Sequence, residues 1–354
     1  MTRGSARKRP TPLFGVRVMV DILREPVTGR SVWTAADIGA EDSYARRFTE
    51  DDLLEFDRAL ARVQDKTAQE LSKRDFPLPG FAEKVRDVVD DLEHGTGFVL
   101  LRGLPIHDRY TVEEATKIYW AIGLHMGELV PQNRRGELIG NIRNLGAKGH
   151  NARGYATASA AAFHTDQTDV VGLMCLHPAR SGGISLVASA MTAYNIVLDE
   201  HPEWLDILYK RFPTDWVSEE PPGSPGWYYS RLYSYVDGLL SAAYRTGRIL
   251  SATRFPDVPR LTAREVECLL FLDEIPTRPG VALDMTLEVG DIQFVNNFVT
   301  VHSRTGFVDD PDDPDFQRHL LRLWVSRPDT GRVVCPEYHY WRSGISRLEW
   351  ARSA

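Results

Sequence analysis

The segment Phe163-His164-Thr165-Asp166 sets an imidazole and a carboxylate two positions apart. On a strand, residues two apart project from the same face, so His164 and Asp166 are expected to present themselves to one metal ion. A neutral imidazole beside a carboxylate suits iron(II). A second histidine would complete a two-histidine, one-carboxylate set that leaves three positions open. The pair alone is a weak signal, since histidine and acidic residues at these abundances produce roughly 1.4 such matches by chance. His201-Pro202-Glu203 is one of them. It follows Asp199-Glu200 in a helical context, where residues two apart face different ways, and it reads as a solvated helix start.

A second constellation lies further along. Gly290-Asp-Ile-Gln-Phe-Val-Asn-Asn297 leads to His302-Ser303-Arg304, an acidic loop, and then Arg318-His-Leu-Leu-Arg322-Leu-Trp324. His302, placed at a strand end, can be the third ligand. Arg318 and Arg322 are four apart and so share a strand face. A guanidinium stays charged and grips a carboxylate through two parallel hydrogen bonds. One such arginine is what a dicarboxylate cosubstrate needs at its far end when iron holds the near one.

Together with Gly182-Gly183-Ile184-Ser185, these segments resemble the TauD/TfdA family of iron(II)- and 2-oxoglutarate-dependent oxygenases, related to taurine dioxygenase and to clavaminate-synthase-like enzymes. The resemblance runs from about Gly97 to Arg327, and Asp169 to Leu176 and Tyr235 to Leu240 share it. It implies that His164, Asp166 and His302 ligate iron(II). It matches Arg318 to the arginine that pairs with the distal carboxylate of 2-oxoglutarate. Arg322 matches the next arginine on that strand, which in relatives faces substrate, cosubstrate or both. Ser185 stands where the family has a threonine hydroxyl on the same carboxylate. The cofactors implied are iron(II), 2-oxoglutarate and O2.

The reaction implied is hydroxylation of an unactivated C–H bond, with desaturation or ring closure sharing its first step. An intact Asp166 argues against halogenation. Two other classes stay open on the residues alone: a cupin-like metal hydrolase or isomerase, and a non-catalytic jelly-roll binding protein. Asp169, Gln167, Asn141 and Arg143 are candidate substrate contacts. Arg322 would favour an anionic group and Asp169 an amine, which together suit a small, amino-acid-like metabolite. Trp227, Tyr228, Tyr229, Tyr233 and Tyr235 form either a lid or core strands. The aspartates from Asp309 to Asp315, interrupted by Pro311 and Pro314, read as a solvated loop and not a calcium site. Cys175, in an apolar run, reads as a packed thiol.

These side chains need a scaffold, and the texture supplies one. Thr49 followed by Glu50, Asp51 and Asp52 caps a helix carrying Leu53, Phe56, Leu60 and Val63. Phe81, Val85, Val88 and Leu92 mark a second helix, stopped by Gly95. Phe98 to Leu101 is a buried strand, and Thr111 with Glu114 caps a third helix. From about Glu137 onward short strands alternate with turns. Helices interrupt them at Ala190 to Leu198 and after the Thr262–Glu265 box. This is an α+β pattern, a double-stranded β-helix (jelly-roll) core flanked by helices. A basic tail over 1–14 is expected to be disordered. A single oxygenase domain over 15–354 would hold a helical part to about residue 95 and a core over about 97–327.

The 354 residues carry 42 Lys and Arg against 49 Asp and Glu, a net charge of −7 that disfavours nucleic acid and anionic membranes. Cys175, Cys268 and Cys335 form neither a disulfide framework nor a zinc pattern, which fits a reducing cytoplasm. No signal or membrane-spanning stretch is evident. A small-molecule substrate is expected, with monomer and homodimer both open.

Overall fold

The computed structural model describes residues 20–146, 157–221, 223–328, 332–342 and 344–345, so the 1–14 tail lies outside the described residues. Caps and apolar spacing coincide in the helical part. α1 (Glu50–Leu60) begins where Thr49 Oγ1 accepts from Asp52 N while the Asp52 carboxylate accepts from Thr49 N. α2 (Phe81–His94) buries Phe81, Val85, Val88 and Leu92 and ends at Gly95. After β1 (Phe98–Arg102), α3 (Val112–Met126) opens on the Thr111–Glu114 capping box.

The strand-rich part begins with β2 (Ile139–Ile142), β3 (Ala161–His164), β4 (Val170–His177) and β5 (Ser185–Ser189). α4 (Ala190–Glu200) leads to β6 (Phe212–Asp215), β7 (Trp227–Ser230), β8 (Tyr233–Val236) and β9 (Leu239–Ala242). Then come α5 (Thr246–Ala252), α6 (Ala263–Glu274), β10 (Leu283–Met285), β11 (Ile292–Asn296), β12 (Thr300–Arg304), β13 (His319–Ser326) and α7 (Pro336–Trp341).

β1, β11, β4 and β13 lie side by side, antiparallel, at the centre of a seven-stranded sheet. A four-stranded antiparallel sheet runs in the order β10, β5, β12, β3. Neighbours in both sheets are distant in sequence, so the chain crosses repeatedly from one sheet to the other in a jelly roll. Strand alternation divides the residues of the large sheet. Val99, Leu101, Met174, Phe294, Leu321 and Leu323 pack outward with the helices. Phe98, Val171, Val295 and Trp324 pack inward against Val187 and Met285 of the small sheet. Gly290, at φ +83°, makes the turn into β11 where a Cβ would overlap the Leu104 carbonyl.

Most of the aromatic stretch from Trp227 to Tyr235 is core. β7 pairs with β6 and β8 with β9, and Tyr228 and Tyr233 are buried among Tyr194, Trp216 and Tyr244. Tyr229 alone of the five is exposed, and of the five none lines the cavity described below. All three cysteines are buried and free, and burial raises the Cys175 thiol to about 12. Among the described residues no helix is long and apolar enough to cross a membrane.

Candidate active site

His302 sits in the middle of β12, directly across from His164 at the end of β3 and from Val187 of β5. The two imidazole centroids are 4.5 Å apart. β3 stops at His164, so strand alternation does not aim Asp166 as the sequence suggests. A pinned loop does it instead. Asp166 N donates to Asn297 Oδ1 at 2.8 Å, Thr165 N donates to the Tyr244 carbonyl at 3.0 Å, and Arg245 Nη2 donates to the Asp166 carbonyl at 3.1 Å. One ligand atom from each of His164, Asp166 and His302 then falls within 4.8 Å of the others.

The charges around this cluster are arranged for a cation. His302 is pushed down to about 3, by burial first and by His164 next, against the pull of Asp166. Burial also lowers His164, with the charges of Arg248 and Arg322 adding to it. Both imidazoles are therefore neutral at physiological pH, as metal ligation requires. Burial would raise the Asp166 carboxyl, but Arg322, the two histidines and Trp324 together hold it well below the usual carboxylate range. Trp324 Nε1 donates to Asp166 Oδ2 at 3.1 Å and Arg322 Nη1 at 3.3 Å, fixing the carboxylate from behind. His164 Nδ1 faces the Ala162 carbonyl at 2.9 Å, a contact that protonates Nδ1 and leaves the Nε2 lone pair for a metal. His302 Nδ1 is buried without a hydrogen-bond partner. Two neutral imidazoles and one ionised carboxylate, oriented by neighbours, fit a divalent iron.

The cluster opens into a cavity of about 420 Å³ between the two sheets. Arg318, Arg322 and Trp324 share the inward face of β13 and the residue preceding it, and Ser185 enters from β5. Arg318 is 5 % exposed, and its Nη1 is buried with no hydrogen-bond partner. Burial first, then neighbouring Arg304, lowers its guanidinium to about 10, so it remains charged at neutral pH. Gly183, at φ +70°, lets it pass: a Cβ there would lie 2.9 Å from Arg318 Nε. Asp309, from the acidic loop, accepts from Arg318 N at 2.8 Å. Ser185 Oγ donates to Gln293 Oε1 at 2.9 Å, so serving a ligand would mean exchanging that bond.

The remaining expected contacts divide. Gln167 lines the cavity, with Nε2 donating to Tyr228 OH at 2.9 Å. Asp169 does not reach the cavity. It is 1 % exposed and accepts two 3.0 Å hydrogen bonds from Arg342 Nε. Asn141 and Arg143 are exposed on the far face of their segment, with Ile142 between them turned into the cavity. Arg322 is committed to Asp166 and, through Nε, to Gln132 Oε1 at 2.7 Å. His201 and Glu203 face each other at 3.2 Å, away from the cluster. The sequence reading assigned no role to Gln132, Arg245, Arg248, Asn297 or Trp324. Trp324 was findable, because it lies two residues beyond Arg322 on the same strand face.

A family model described as "Taurine catabolism dioxygenase TauD, TfdA family" matches residues 39–324. The chain belongs to the TauD/TfdA dioxygenase family. This dioxygenase is 37% identical over 320 residues to "FR-33289 synthase" of Streptomyces rubellomurinus, across 87% of this chain and 92% of that protein. It is 29% identical to "Taurine hydroxylase-like protein SAT17" of Stachybotrys chartarum, across 82% and 77%. Two solved oxygenases share its fold. Asparagine oxygenase, with Fe(II), 3-hydroxyasparagine and succinate, superposes with a TM-score of 0.62 at 17% identity, over 80% and 93% of the two chains. The non-heme iron oxygenase OrfP with Fe and alpha-ketoglutaric acid gives 0.53 at 15%, over 80% and 93%. The dioxygenase is thus an iron(II)- and 2-oxoglutarate-dependent enzyme of jelly-roll fold.

Proposed function

We propose that the cavity between the sheets is the oxygenase site, where His164, Asp166 and His302 hold iron(II), and that the enzyme hydroxylates an unactivated C–H bond of a small polar metabolite. The observation that carries this is the convergence of those three groups within 4.8 Å beside the buried, unpartnered end of Arg318. When bound, iron with 2-oxoglutarate and O2 supplies the oxidant for the C–H bond.

The chain's own residues do the rest. Arg318 receives the distal carboxylate of 2-oxoglutarate, with Ser185 beside it as the hydroxyl donor. Trp324 and Arg322 keep Asp166 ionised and fixed, so the ligand set is preorganised. Gln167, Ile142 and Val217 line the space left for substrate. An amine partner in Asp169 is gone, since that carboxylate is taken by Arg342. Desaturation and ring closure use the same site. A hydrolase working without the cosubstrate is disfavoured by the dioxygenase family match. Buried free thiols and the absence of a membrane-spanning helix among the described residues support a cytoplasmic enzyme.

Anaerobic titration with iron(II) and 2-oxoglutarate tests the site. A visible charge-transfer band is expected in the wild type and is expected to vanish in His164→Ala and in His302→Ala. A normal band in both variants would move the ligand assignment elsewhere.

A further inference from the structure

Five arginines line the cavity, Arg245, Arg248, Arg304, Arg318 and Arg322, against a single carboxylate, Asp166. Four have evident employment. Arg322 faces Asp166 and Gln132, and Arg318 waits for the cosubstrate. Arg304 donates to the Ser159 carbonyl and lies 4.7 Å from the Phe307 ring. Arg245 holds the ligand loop through the Thr165 and Asp166 carbonyls. Arg248 has no such task. Its Nη1 is buried without a hydrogen-bond partner, and no acidic residue pairs with it among the described residues.

We infer that Arg248 is a specificity residue of this dioxygenase, the side chain that receives a negatively charged group on the substrate.

The inference rests on reading the cavity as the oxygenase site and goes further by naming a substrate class and its reader. Accounting for partners supports it. The two carboxylates of 2-oxoglutarate are answered by iron and Arg318, and Asp166 by iron and Arg322; of the three arginines left without a carboxylate, Arg245 and Arg304 donate to backbone carbonyls, and Arg248 donates to no described residue. An uncharged substrate would leave the buried Arg248 Nη1 unanswered, while a carboxylate or a tetrahedral oxyanion would take it as a charge-assisted hydrogen bond. The wall is also built to hold still. Asp215, fully buried, accepts from Val217 N at 2.8 Å and from Arg254 Nε at 2.8 Å, and takes the Ser251 hydroxyl of α5. It thereby ties the helix that carries Arg248 to the turn that carries Val217. Val217 lines the cavity at φ +53°, a region a β-branched residue enters only when its surroundings compel it. The anion reader is thus on a fixed element and not on a free loop, which reduces the ordering cost of binding.

The test uses the iron- and 2-oxoglutarate-loaded enzyme without oxygen, followed by the chelate band. Matched probes differ in charge: acetate against acetamide, and methanesulfonate against dimethyl sulfone. Saturable perturbation by at least one anion, and not by its neutral twin, is expected. Arg248→Gln is expected to weaken that response by roughly tenfold or more, and Arg248→Lys to restore part of it. The midpoint for 2-oxoglutarate should be the same in all three proteins. Which anion acts separates a carboxylate from a tetrahedral oxyanion. Equal anion binding in Arg248→Gln, or a wild type that responds to the neutral probes as well as to the anions or to none of the four, overturns the inference. Should Arg248→Gln fail to fold, Arg248→Met takes its place, with the same loss expected and an unchanged anion response overturning the inference. Loss of the chelate band in the wild type would instead overturn the reading of the site itself.

Discussion

Keeping a guanidinium buried with one nitrogen unanswered is costly unless a ligand arrives to use it. Arg318 is in that position, charged at neutral pH, lining the cavity and with its buried Nη1 unpartnered. Arg318→Ala is expected to weaken 2-oxoglutarate binding by about 2 kcal/mol, or roughly thirtyfold, with full band amplitude recovered at saturation because the iron-chelating end is untouched. The midpoint of the chelate-band titration measures it; an unchanged midpoint would pass the role to Arg304, which shares that wall. Strand parity in the sequence put Arg318 and Arg322 on one face, and the resemblance to the TauD/TfdA family chose Arg318 between them. Arg318, Leu320, Arg322 and Trp324 alternate onto one face whatever else the fold does. The same rule explains the failures beside it. At Asn141 and Arg143 the inward position is the intervening Ile142, a parity that composition alone cannot fix. Asp169 stands three residues past a ligand but across a loop, where spacing carries no direction. Arg248 belongs to a short helix that no motif marked.

At the scale of elements, local signals were legible and long-range ones were not. The Thr49, Thr111 and Thr262 capping boxes each start a helix where side-chain chemistry within four residues dictates it. The pairing of Asp169 with Arg342 spans 173 positions and depends on how the turn after α7 returns to the ligand loop. Both side chains are buried, at 1 % and 4 % exposure, so the pair ties the C-terminal arm to the segment that follows Asp166. Asp169→Asn leaves Arg342 as a buried cation with weakened compensation. It should cost about 3–5 kcal/mol of stability, read as a lowered urea midpoint, with KM for substrate little changed at low temperature. A raised KM at unaltered stability would instead make Asp169 the substrate contact that its position in the sequence suggests.

Over the whole molecule, the two sheets bury several imidazoles in surroundings that exclude protons, and this couples the site to global stability. Burial, then the charge of His164, pushes His302 down to about 3, and burial, then Arg143 and His177, takes His319 to about 4. The unfolded chain would protonate each near 6.5. Between those values the unfolded state binds protons that the folded state refuses, so stability falls as pH falls through the window and is level above it. Asp166 acts in the same sense lower down, since its depressed carboxyl contributes stability above its unfolded value that is lost on acidification. Asp273 and Asp291, raised by burial, work oppositely around their own range, so the wild-type slope is a mixture. A variant separates it. From pH 7 to pH 5 the metal-free enzyme should lose about 2 kcal/mol through His302 alone, and His302→Gln should remove that share of the slope. Urea unfolding of both proteins at the two pH values checks it, and identical slopes would mean that His302 is protonated as readily in the folded protein as in the unfolded chain. Iron should leave the wild-type slope in place or steepen it, because a ligated imidazole refuses the proton more firmly still in the folded state while the unfolded chain takes it up as before.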